Sequence, residues 1–343
     1  MIQRLGAAIA VAAIMSGPSY SNSSYTVLDW SNLDGWPKDD HDAALAVFLE
    51  TCPDMDGPEW GPICAYADHD ARDARQFFEI FFRPVVVSDG NPGLFTGYYE
   101  PELEGSAVPT ARFRHPIYRL PAEASRGGQW LTRAEIENGG ILDGRGLEIA
   151  WLADPVDVFF LQVQGSGRIR LTDGRAIRVG FGGRNGHSYR SVGTELVRRG
   201  VFQSHEVSAA VIRRWVRDNP AAGRELLQHN PSYIFFREVN DVPPERGPLG
   251  AMNRSITPMR TIAADPAYVP LGAPVWIEKG GRDPLKRLMI AQDTGSAIKG
   301  AQRADVFVGT GYAAGQKAGR IRDGGRMVVL FPIETAFRLA PDG

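Results

Sequence analysis

The chain has 343 residues, of which 43% are hydrophobic and 23% charged, and its formal charge at pH 7 is −2. This length suggests two domains. The small net charge and the dispersed basic residues argue against a nucleic-acid partner.

The first residues have the pattern of an export signal. Arg4 precedes an apolar run over residues 5–15 and then small residues, and this run is too short for a permanent membrane span. Ser19 and Ser21 suit a cleavage site, so we predict a signal peptide over residues 1–21. No cysteine follows the run to bear a lipid. We therefore expect an exported, periplasmic chain without a transmembrane anchor, and leave association with the outer membrane open.

Two helices joined by a cysteine loop are predicted next. Residues 39–50 and 71–82 carry apolar side chains at helical spacing. Cys52 and Cys64 are the only cysteines, and export permits their oxidation. We predict a disulfide that stabilises the chain by about 3 kcal/mol on the chain-entropy model. Two free buried thiols remain the alternative, and no histidine pair flanks the cysteines to complete a metal site.

The segment over residues 85–179 has the composition of short strands and hairpins. Glycine and proline separate its apolar runs, and residues 157–163 and 168–171 are predicted as strands. The pattern contains no repeat of 20 to 50 residues.

The chain then changes to helices and returns to strands. Residues 204–217 predict a helix with Ser204 as its N-cap and one apolar face, and a shorter helix is predicted to end near Gln228. A change from strands to helices and back also fits one domain inserted within another. The strands predicted beyond Pro231 cover residues 233–236, 275–277, 287–290, 305–308 and 327–331.

Asp293 and Asp305 lie twelve positions apart in a glycine-rich segment. The apolar runs beside them predict buried strands, which would place each carboxylate at a strand edge beside a turn. Asp293 begins an Asp-Thr-Gly-Ser tetrapeptide typical of aspartic proteases, but those enzymes need two such aspartates sharing a proton, and no second copy exists. From the residues alone, a turn cap at Asp293 and a salt bridge at Asp305 remain alternatives.

Uncharged polar and aromatic side chains are concentrated on four glycine-rich stretches. These stretches lack a phosphate-loop pattern, and His187 has no histidine partner at metal-binding spacing, so neither a nucleotide cofactor nor a metal is expected. Hydroxyl and amide groups beside flat rings suit a polyhydroxylated ligand. The alternative is that the tyrosines only pack and the glycines only turn. The set comprises Thr96, Tyr98, Tyr99, Gln164, Ser166, Asn185, Tyr189 and Ser191.

Five ordered segments resemble the membrane-bound lytic murein transglycosylase A family with its C-terminal 3D domain. They are FTGYYEP, VQGSG, GRNGHSYRSVG, NPSYIFF and AQDTGSAIKGAQRADVFVGTG, and the resemblance runs from about residue 93 to residue 332. It implies an enzyme that cleaves peptidoglycan between N-acetylmuramic acid and N-acetylglucosamine without adding water. The products would carry 1,6-anhydromuramic ends, the partner would be the glycan strand, and no cofactor would be needed.

The resemblance also implies a fold that is mainly β with accessory helices. A double-psi β-barrel domain, discontinuous in sequence, would cover residues 25–103, which include the N-terminal helices, and residues 238–340. A second β-rich domain that binds substrate would be inserted over residues 104–237. Family members are often lipoproteins, and this sequence departs from that pattern because it lacks the lipid-bearing cysteine.

Transferred position by position, the resemblance makes Asp305 the single catalytic residue and Asp293 its support. Asp305 would act first as acid and then as base, which requires a carboxyl kept neutral by apolar neighbours such as residues 306–308. A hydrolytic muramidase that uses both aspartates and a peptidoglycan-binding protein that does not cut remain alternatives. The substrate-binding residues would be Thr96, Tyr98, Gln164, Gly165, Ser166, Asn185, Gly186, Tyr189 and Lys299.

Overall fold

The computed structural model describes residues 23–341 as two β-sheets with helices packed around them, and the predicted signal peptide lies outside the described residues. The strands are β1 (Ser24–Val27), β2 (Phe82–Ser88), β3 (Leu94–Glu100), β4 (Glu102–Ser106), β5 (His115–Tyr118), β6 (Glu148–Leu152), β7 (Gly167–Leu171), β8 (Ala176–Arg184), β9 (Ile234–Glu238), β10 (Thr261–Ala264), β11 (Pro274–Lys279), β12 (Leu285–Asp293), β13 (Arg303–Thr310), β14 (Arg322–Asp323) and β15 (Gly325–Pro332). The helices are α1 (His41–Thr51), α2 (Trp60–His69), α3 (Ala74–Phe81), α4 (Arg133–Gly139), α5 (Pro155–Gln164), α6 (Val192–Arg198), α7 (Ala209–Asp218), α8 (Pro220–Gln228), α9 (Gly311–Ala318) and α10 (Ile333–Leu339).

The first sheet is a nearly closed barrel in the order β1-β2-β15-β11-β12-β10-β13-β3-β14. Alternate residues of its strands fill the interior, as Met289 and Ala291 do on β12 and Ala304 and Val306 on β13. Successive side chains of a strand point to opposite faces, so the residues between them face outward. Asp305, between Ala304 and Val306, is thereby excluded from the core. Asp293 has the same parity as Met289 and Ala291, but the pairing of β12 with β10 shifts by one residue after Ala291, which brings Asp293 opposite Ala263 on the outer face.

The second sheet has the order β5-β6-β4-β7-β8-β9 and comes from one continuous segment. The chain leaves the barrel at Glu100, the end of β3, and enters the second sheet at Glu102, the start of β4. It returns between Glu238, the end of β9, and Thr261, the start of β10. One residue thus separates the two sheets on the outward crossing.

Helices α1 to α3 cover part of the outer face of the barrel. Their aromatic side chains pack against Trp276 and its neighbours on β12 and β15, and Trp36 meets Trp276 edge-on at 5.2 Å between ring centroids. The predicted disulfide is confirmed, because Cys52 and Cys64 are joined with their Cα atoms 5.6 Å apart. The segment between them is not only a loop, since α2 begins at Trp60.

One predicted strand and the start of one predicted helix are wrong. Residues 157–163 belong to helix α5, because Asp154 caps its start by accepting from the Val156 N–H at 2.9 Å and Pro155 occupies its first turn. A short apolar run alone does not separate a buried strand from a buried helix. Helix α7 begins at Ala209 with Ser208 as N-cap, and not at residue 204.

Within residues 23–341, no helix is long and apolar enough to cross a membrane. In the same part of the chain, no group of three histidine, cysteine, aspartate or glutamate side chains is placed to hold a metal ion.

Replacing both Cys52 and Cys64 by serine is expected to lower the free energy of unfolding by about 3 kcal/mol, because the open chain gains entropy when it unfolds. Thermal or urea unfolding of the mature chain measures the loss, and added reductant should reproduce it in the wild type. The low-temperature activity should remain. An unchanged midpoint in both experiments would contradict the assignment of a stabilising role to the disulfide.

Candidate active site

Four residues form a row across four neighbouring strands of the barrel. Asp305 on β13 is paired with Thr96 on β3 and with Ala263 on β10, and Ala263 is paired with Asp293 on β12. Paired residues face the same side of a sheet, and neighbouring strands lie about 4.8 Å apart. Both carboxylates therefore leave the same outer face, with their backbones about 10 Å apart.

The floor beneath this row is apolar. Tyr98, Ile256, Ala263, Ile298 and Phe307 form one buried cluster on the outer side of these strands. Among the three residues predicted to shield Asp305, only Phe307 belongs to this cluster, because the two-residue period of β13 turns its preceding neighbour into the barrel core.

The two aspartates occupy different places in their strands. Asp293 is the last residue of β12, as predicted, whereas Asp305 lies inside β13 between two paired neighbours. The prediction of a strand edge is therefore wrong for Asp305, since β13 begins two residues before it.

Both oxygens of Asp293 are held by donors. Its Oδ1 accepts from the backbone N–H groups of Ala251 at 3.0 Å and Thr294 at 2.9 Å, and its Oδ2 accepts from the Tyr98 hydroxyl at 2.9 Å. Burial raises the pKa of Tyr98 well above its usual value, so this phenol remains a donor. Asp293 thereby ties the 250–254 turn and β3 to the end of β12.

Asp305 has a simpler environment. Its Oδ1 accepts from the Thr96 hydroxyl at 2.7 Å, and Thr96 in turn accepts from Arg303 Nη2 at 2.7 Å. Among residues 23–341, no group donates a hydrogen bond to its Oδ2, and the residue remains partly exposed. This oxygen is the one available to a ligand.

Burial sets the protonation of the pair. It raises the pKa of Asp305 to about 6, against the opposing effects of the Thr96 bond and the Arg303 charge. It also raises the pKa of Asp293 to about 6, with three hydrogen bonds opposing it and the charge of Asp305 adding to it. A carboxyl with such a pKa holds a proton for donation in mildly acidic to neutral solution.

Several predicted binding residues lie where the second sheet meets the barrel. Gln164, the last residue of α5, accepts from the Tyr99 N–H on β3 at 3.0 Å. Gly165 ends that helix with φ 79°, a left-handed conformation that favours glycine, and Ser166 is buried beside it. The predicted residues Thr96 and Tyr98 contact the two aspartates directly.

Asn185 does not present its side chain to a ligand. It is fully buried, its Nδ2 donates to the carbonyls of Leu131 and Pro231 at 2.8 Å each, and its Oδ1 accepts from the Tyr233 N–H at 2.9 Å. Its prediction as a binding residue is corrected, because these bonds use the amide internally. Gly186 has φ 80° and leaves no room for a side chain, because a Cβ there would lie 2.0 Å from the Gly128 carbonyl oxygen.

Two further predicted residues, Tyr189 and Lys299, make no hydrogen bond to Asp293 or Asp305. Tyr189 packs against the helical cluster that includes α5 and α7. Lys299 is exposed, and its Nζ lies 3.3 Å from Asp265 Oδ1.

The sequence did not single out Glu100, which is fully buried where the chain leaves the barrel. Its Oε2 accepts from Arg168 Nε at 3.0 Å, from Arg178 Nη2 at 3.2 Å and from the Thr310 hydroxyl at 2.9 Å. Both arginines also donate to the Arg246 carbonyl. One glutamate thus joins the ends of β3 and β13 to strands β7 and β8 of the second sheet. Glu100 precedes Pro101 and belongs to no helical or alternating pattern, so the sequence does not predict this role.

Comparison with known proteins places these features in a family. A family model described as the MltA specific insert domain matches residues 94–237, and a 3D domain model matches residues 260–331. The membrane-bound lytic murein transglycosylase A of Vibrio cholerae is 34% identical over 264 residues, which cover 73% of this chain and 69% of the relative. The chain belongs to the membrane-bound lytic murein transglycosylase A (MltA) family. The resemblance noted in the sequence is thereby confirmed.

Solved MltA-family structures have the same overall fold. The membrane-bound lytic murein transglycosylase of Agrobacterium tumefaciens is 32% identical, with a TM-score of 0.80 over 92% of this chain and 99% of that one. Escherichia coli MltA with bound chitohexaose is 28% identical, with a TM-score of 0.73 over 90% and 94%. In this MltA-family chain, Thr96 and Gln164 fall within the insert match, and both aspartates fall within the 3D match.

The raised pKa of Asp305 predicts a pH-dependent stability. The folded state favours the neutral carboxyl, so its stabilising effect is complete below about pH 4 and is lost as pH rises through about 6. Asp305→Asn should therefore unfold with a free energy roughly 2 kcal/mol higher than the wild type at pH 8, and with little difference at pH 4.

Urea unfolding at several pH values measures this difference. The matched control is Asp241→Asn, which changes an exposed aspartate on the connection between β9 and β10 and should leave the pH dependence unaltered. Parallel stability curves for Asp305→Asn and the wild type would contradict the raised pKa.

Proposed function

We propose that this chain is a peptidoglycan lytic transglycosylase. It cleaves the β-1,4 bond from N-acetylmuramic acid to N-acetylglucosamine and leaves 1,6-anhydromuramic ends. The main support is Asp305, a partly exposed carboxyl with a raised pKa and one oxygen open to a ligand, in a chain of the MltA family. The relatives' names identify lytic murein transglycosylases, and chitohexaose bound to the Escherichia coli protein supports a glycan ligand.

In the first step, neutral Asp305 donates its proton to the glycosidic oxygen. The bond from the muramic acid C1 to that oxygen breaks, its electron pair remains on the oxygen, and positive charge develops at C1. The apolar floor of Tyr98, Ile298 and Phe307 stabilises the neutral carboxyl before this step. General acid catalysis of this kind commonly contributes about 10² to 10⁴-fold.

In the second step, the same group acts as a base. The Asp305 carboxylate takes the proton of the muramic acid 6-hydroxyl while that oxygen closes on C1. The carboxyl is neutral again, and no water has been consumed. One group serves both steps because the proton that it loses in the first is replaced in the second.

Asp293 has a supporting role in this proposal. Its three hydrogen bonds fix Tyr98 and the 250–254 turn beside Asp305. The Tyr98 ring lies 5.3 Å from the Phe307 ring, so this contact also orders the floor. Donors on both oxygens leave Asp293 less available than Asp305 for proton transfer to a substrate.

We propose that the glycan lies between the two sheets. Thr96, Tyr98, Gln164, Gly165 and Ser166 line the region where α5 approaches β3, which supports this location. Gly186, Tyr189 and Lys299 would contact more distant sugar residues or stem peptides. Asn185 would shape its loop from inside rather than touch the glycan.

We further propose the domain division and barrel type implied by the resemblance. A double-psi barrel would comprise residues 25–103 and 238–340, and the substrate-binding insert residues 104–237. Support comes from the nearly closed first sheet and from the crossing between Glu100 and Glu102. Export to the periplasm is proposed from residues 1–21, and the relatives named membrane-bound support an envelope location.

Asp305→Asn is expected to lower the rate of cleavage by about 10⁴-fold or more, because an amide can neither donate the proton in the first step nor accept it in the second. Asp293→Asn should reduce activity less, because it disturbs the geometry and pKa of Asp305 but leaves its carboxyl. Mass analysis of digested, purified sacculi measures both the rate and the product.

The same digest distinguishes the alternatives. A transglycosylase yields muropeptides one water lighter than those of a hydrolase, whereas a muramidase using both aspartates yields reducing ends. A binding protein yields no soluble product but retains sacculus binding. Reducing ends, or an active Asp305→Asn beside an inactive Asp293→Asn, would overturn the mechanism.

A further inference from the structure

Arg303 lies beside Asp305, the acid of the proposed mechanism, without a hydrogen bond to it. Arg303 and Asp305 are two positions apart on β13, so their side chains leave the same face of the sheet. The guanidinium donates from Nη2 to the Thr96 hydroxyl at 2.7 Å, and from Nη1 to the carbonyls of Ala304 at 2.5 Å and Leu94 at 3.3 Å. Its position is therefore set by the backbones of β13 and β3.

The bond from Arg303 to the Thr96 hydroxyl determines the direction of the bond between Thr96 and Asp305. A guanidinium only donates, so the Thr96 oxygen must accept from Arg303. Thr96 has one proton of its own, and Asp305 Oδ1, at 2.7 Å, is the acceptor that the described residues provide for it. If Thr96 instead accepted a proton from Asp305, its own hydrogen would have no acceptor among residues 23–341. Oδ1 is thereby kept as an acceptor.

We propose that Arg303 is a positioning residue which, through Thr96, places the acidic proton of Asp305 on Oδ2, the oxygen open to the substrate. This inference rests on the proposed function, since it concerns the proton that Asp305 donates to the glycosidic oxygen. Without Arg303, Thr96 is free to rotate and accept from a proton on Oδ1, which faces away from the substrate.

The charge of Arg303 has a second effect. It lowers the pKa of Asp305, in opposition to burial. Loss of this charge should raise that pKa and make the carboxylate a stronger base. The pH profile of a transglycosylase would then shift, since cleavage requires the neutral acid at the start of each cycle.

A purely structural role for Arg303 predicts different behaviour. Its Nη1 bonds join β13 to β3, so a structural arginine would matter for stability or for KM. Its replacement would not lower kcat through the bond from Thr96 to Asp305, so the losses from Arg303→Gln and Thr96→Val would be independent. The two roles are distinguished by the pH profile, by the ratio of kcat to KM effects and by direct titration.

The test compares Arg303→Gln, Arg303→Lys, Thr96→Val, Thr96→Ser and the double variant Arg303→Gln/Thr96→Val. Soluble uncross-linked glycan strands are the substrate, and anhydromuropeptides are measured by mass analysis across pH 4 to 9. Carbon-13 NMR titration of labelled aspartates, with Asp305→Asn for assignment, reports the ionisation independently of activity. Arg112→Gln, which alters an exposed arginine paired with Glu104, is the matched control and should behave as the wild type.

Arg303→Gln is expected to lower kcat about five- to tenfold with KM within about twofold, and to move both the alkaline limb of the profile and the Asp305 titration upward by about half a pH unit. Thr96→Val should show a similar loss, and the double variant little more than either, because both act through one bond. Arg303→Lys retains the charge and should raise the pKa of Asp305 less than Arg303→Gln does. Thr96→Ser retains the hydroxyl and should keep more activity than Thr96→Val.

The inference is overturned if Arg303→Gln leaves kcat and the Asp305 titration unchanged, or if the losses in the double variant multiply. It is also overturned if only KM or only thermal stability responds. If Arg303→Gln does not fold, the test rests on Thr96→Val. The inference then fails unless this variant lowers kcat and raises the pKa of Asp305. Failure of the proposed function would be seen separately, as reducing ends or no product from the wild type.

Discussion

The chemistry of this protein depends on one constraint: a carboxyl group held in a β-sheet above an apolar floor. Asp305 lies inside β13, paired on both sides, so its backbone has little freedom. The ring of Phe307 and the cluster around it limit its solvation and raise its pKa to about 6. A surface aspartate would be ionised under the same conditions. The barrel therefore supplies both the position of this carboxyl and the apolar surroundings that raise its pKa.

The two aspartates differ in the hydrogen-bond donors that surround them. Backbone N–H groups and Tyr98 take both oxygens of Asp293, whereas Thr96 takes one oxygen of Asp305. Hydrogen bonds to a carboxylate favour its charged form. The two aspartates thus differ in the number of donors that hold them, although burial raises the pKa of both.

The second sheet is attached to the barrel next to this site. Glu100 is buried with Arg168 and Arg178, and its bond to Thr310 reaches the end of the strand that bears Asp305. A buried ion cluster is costly to form but strongly destabilising to break at one partner. Its geometry therefore restricts the angle between the sheets, and with it the space between Gln164 and β3. The same cluster therefore contacts both the second sheet and the strand that bears Asp305.

The sequence by itself indicated the family, the disulfide and four of the nine strands of the first sheet, and it singled out both aspartates, because these follow from local patterns and from ordered motifs. It mistook helix α5 for a strand, since a short buried apolar run has no decisive period. It also counted Asn185 among the binding residues, although that amide bonds to three backbone groups in two segments distant in sequence, at Leu131 and at residues 231–233. Tertiary structure alone decided that Glu100 joins the sheets and that Thr96 bonds to both Asp305 and Arg303. Such contacts arise from strand register between residues some 200 positions apart, and no local pattern encodes that register.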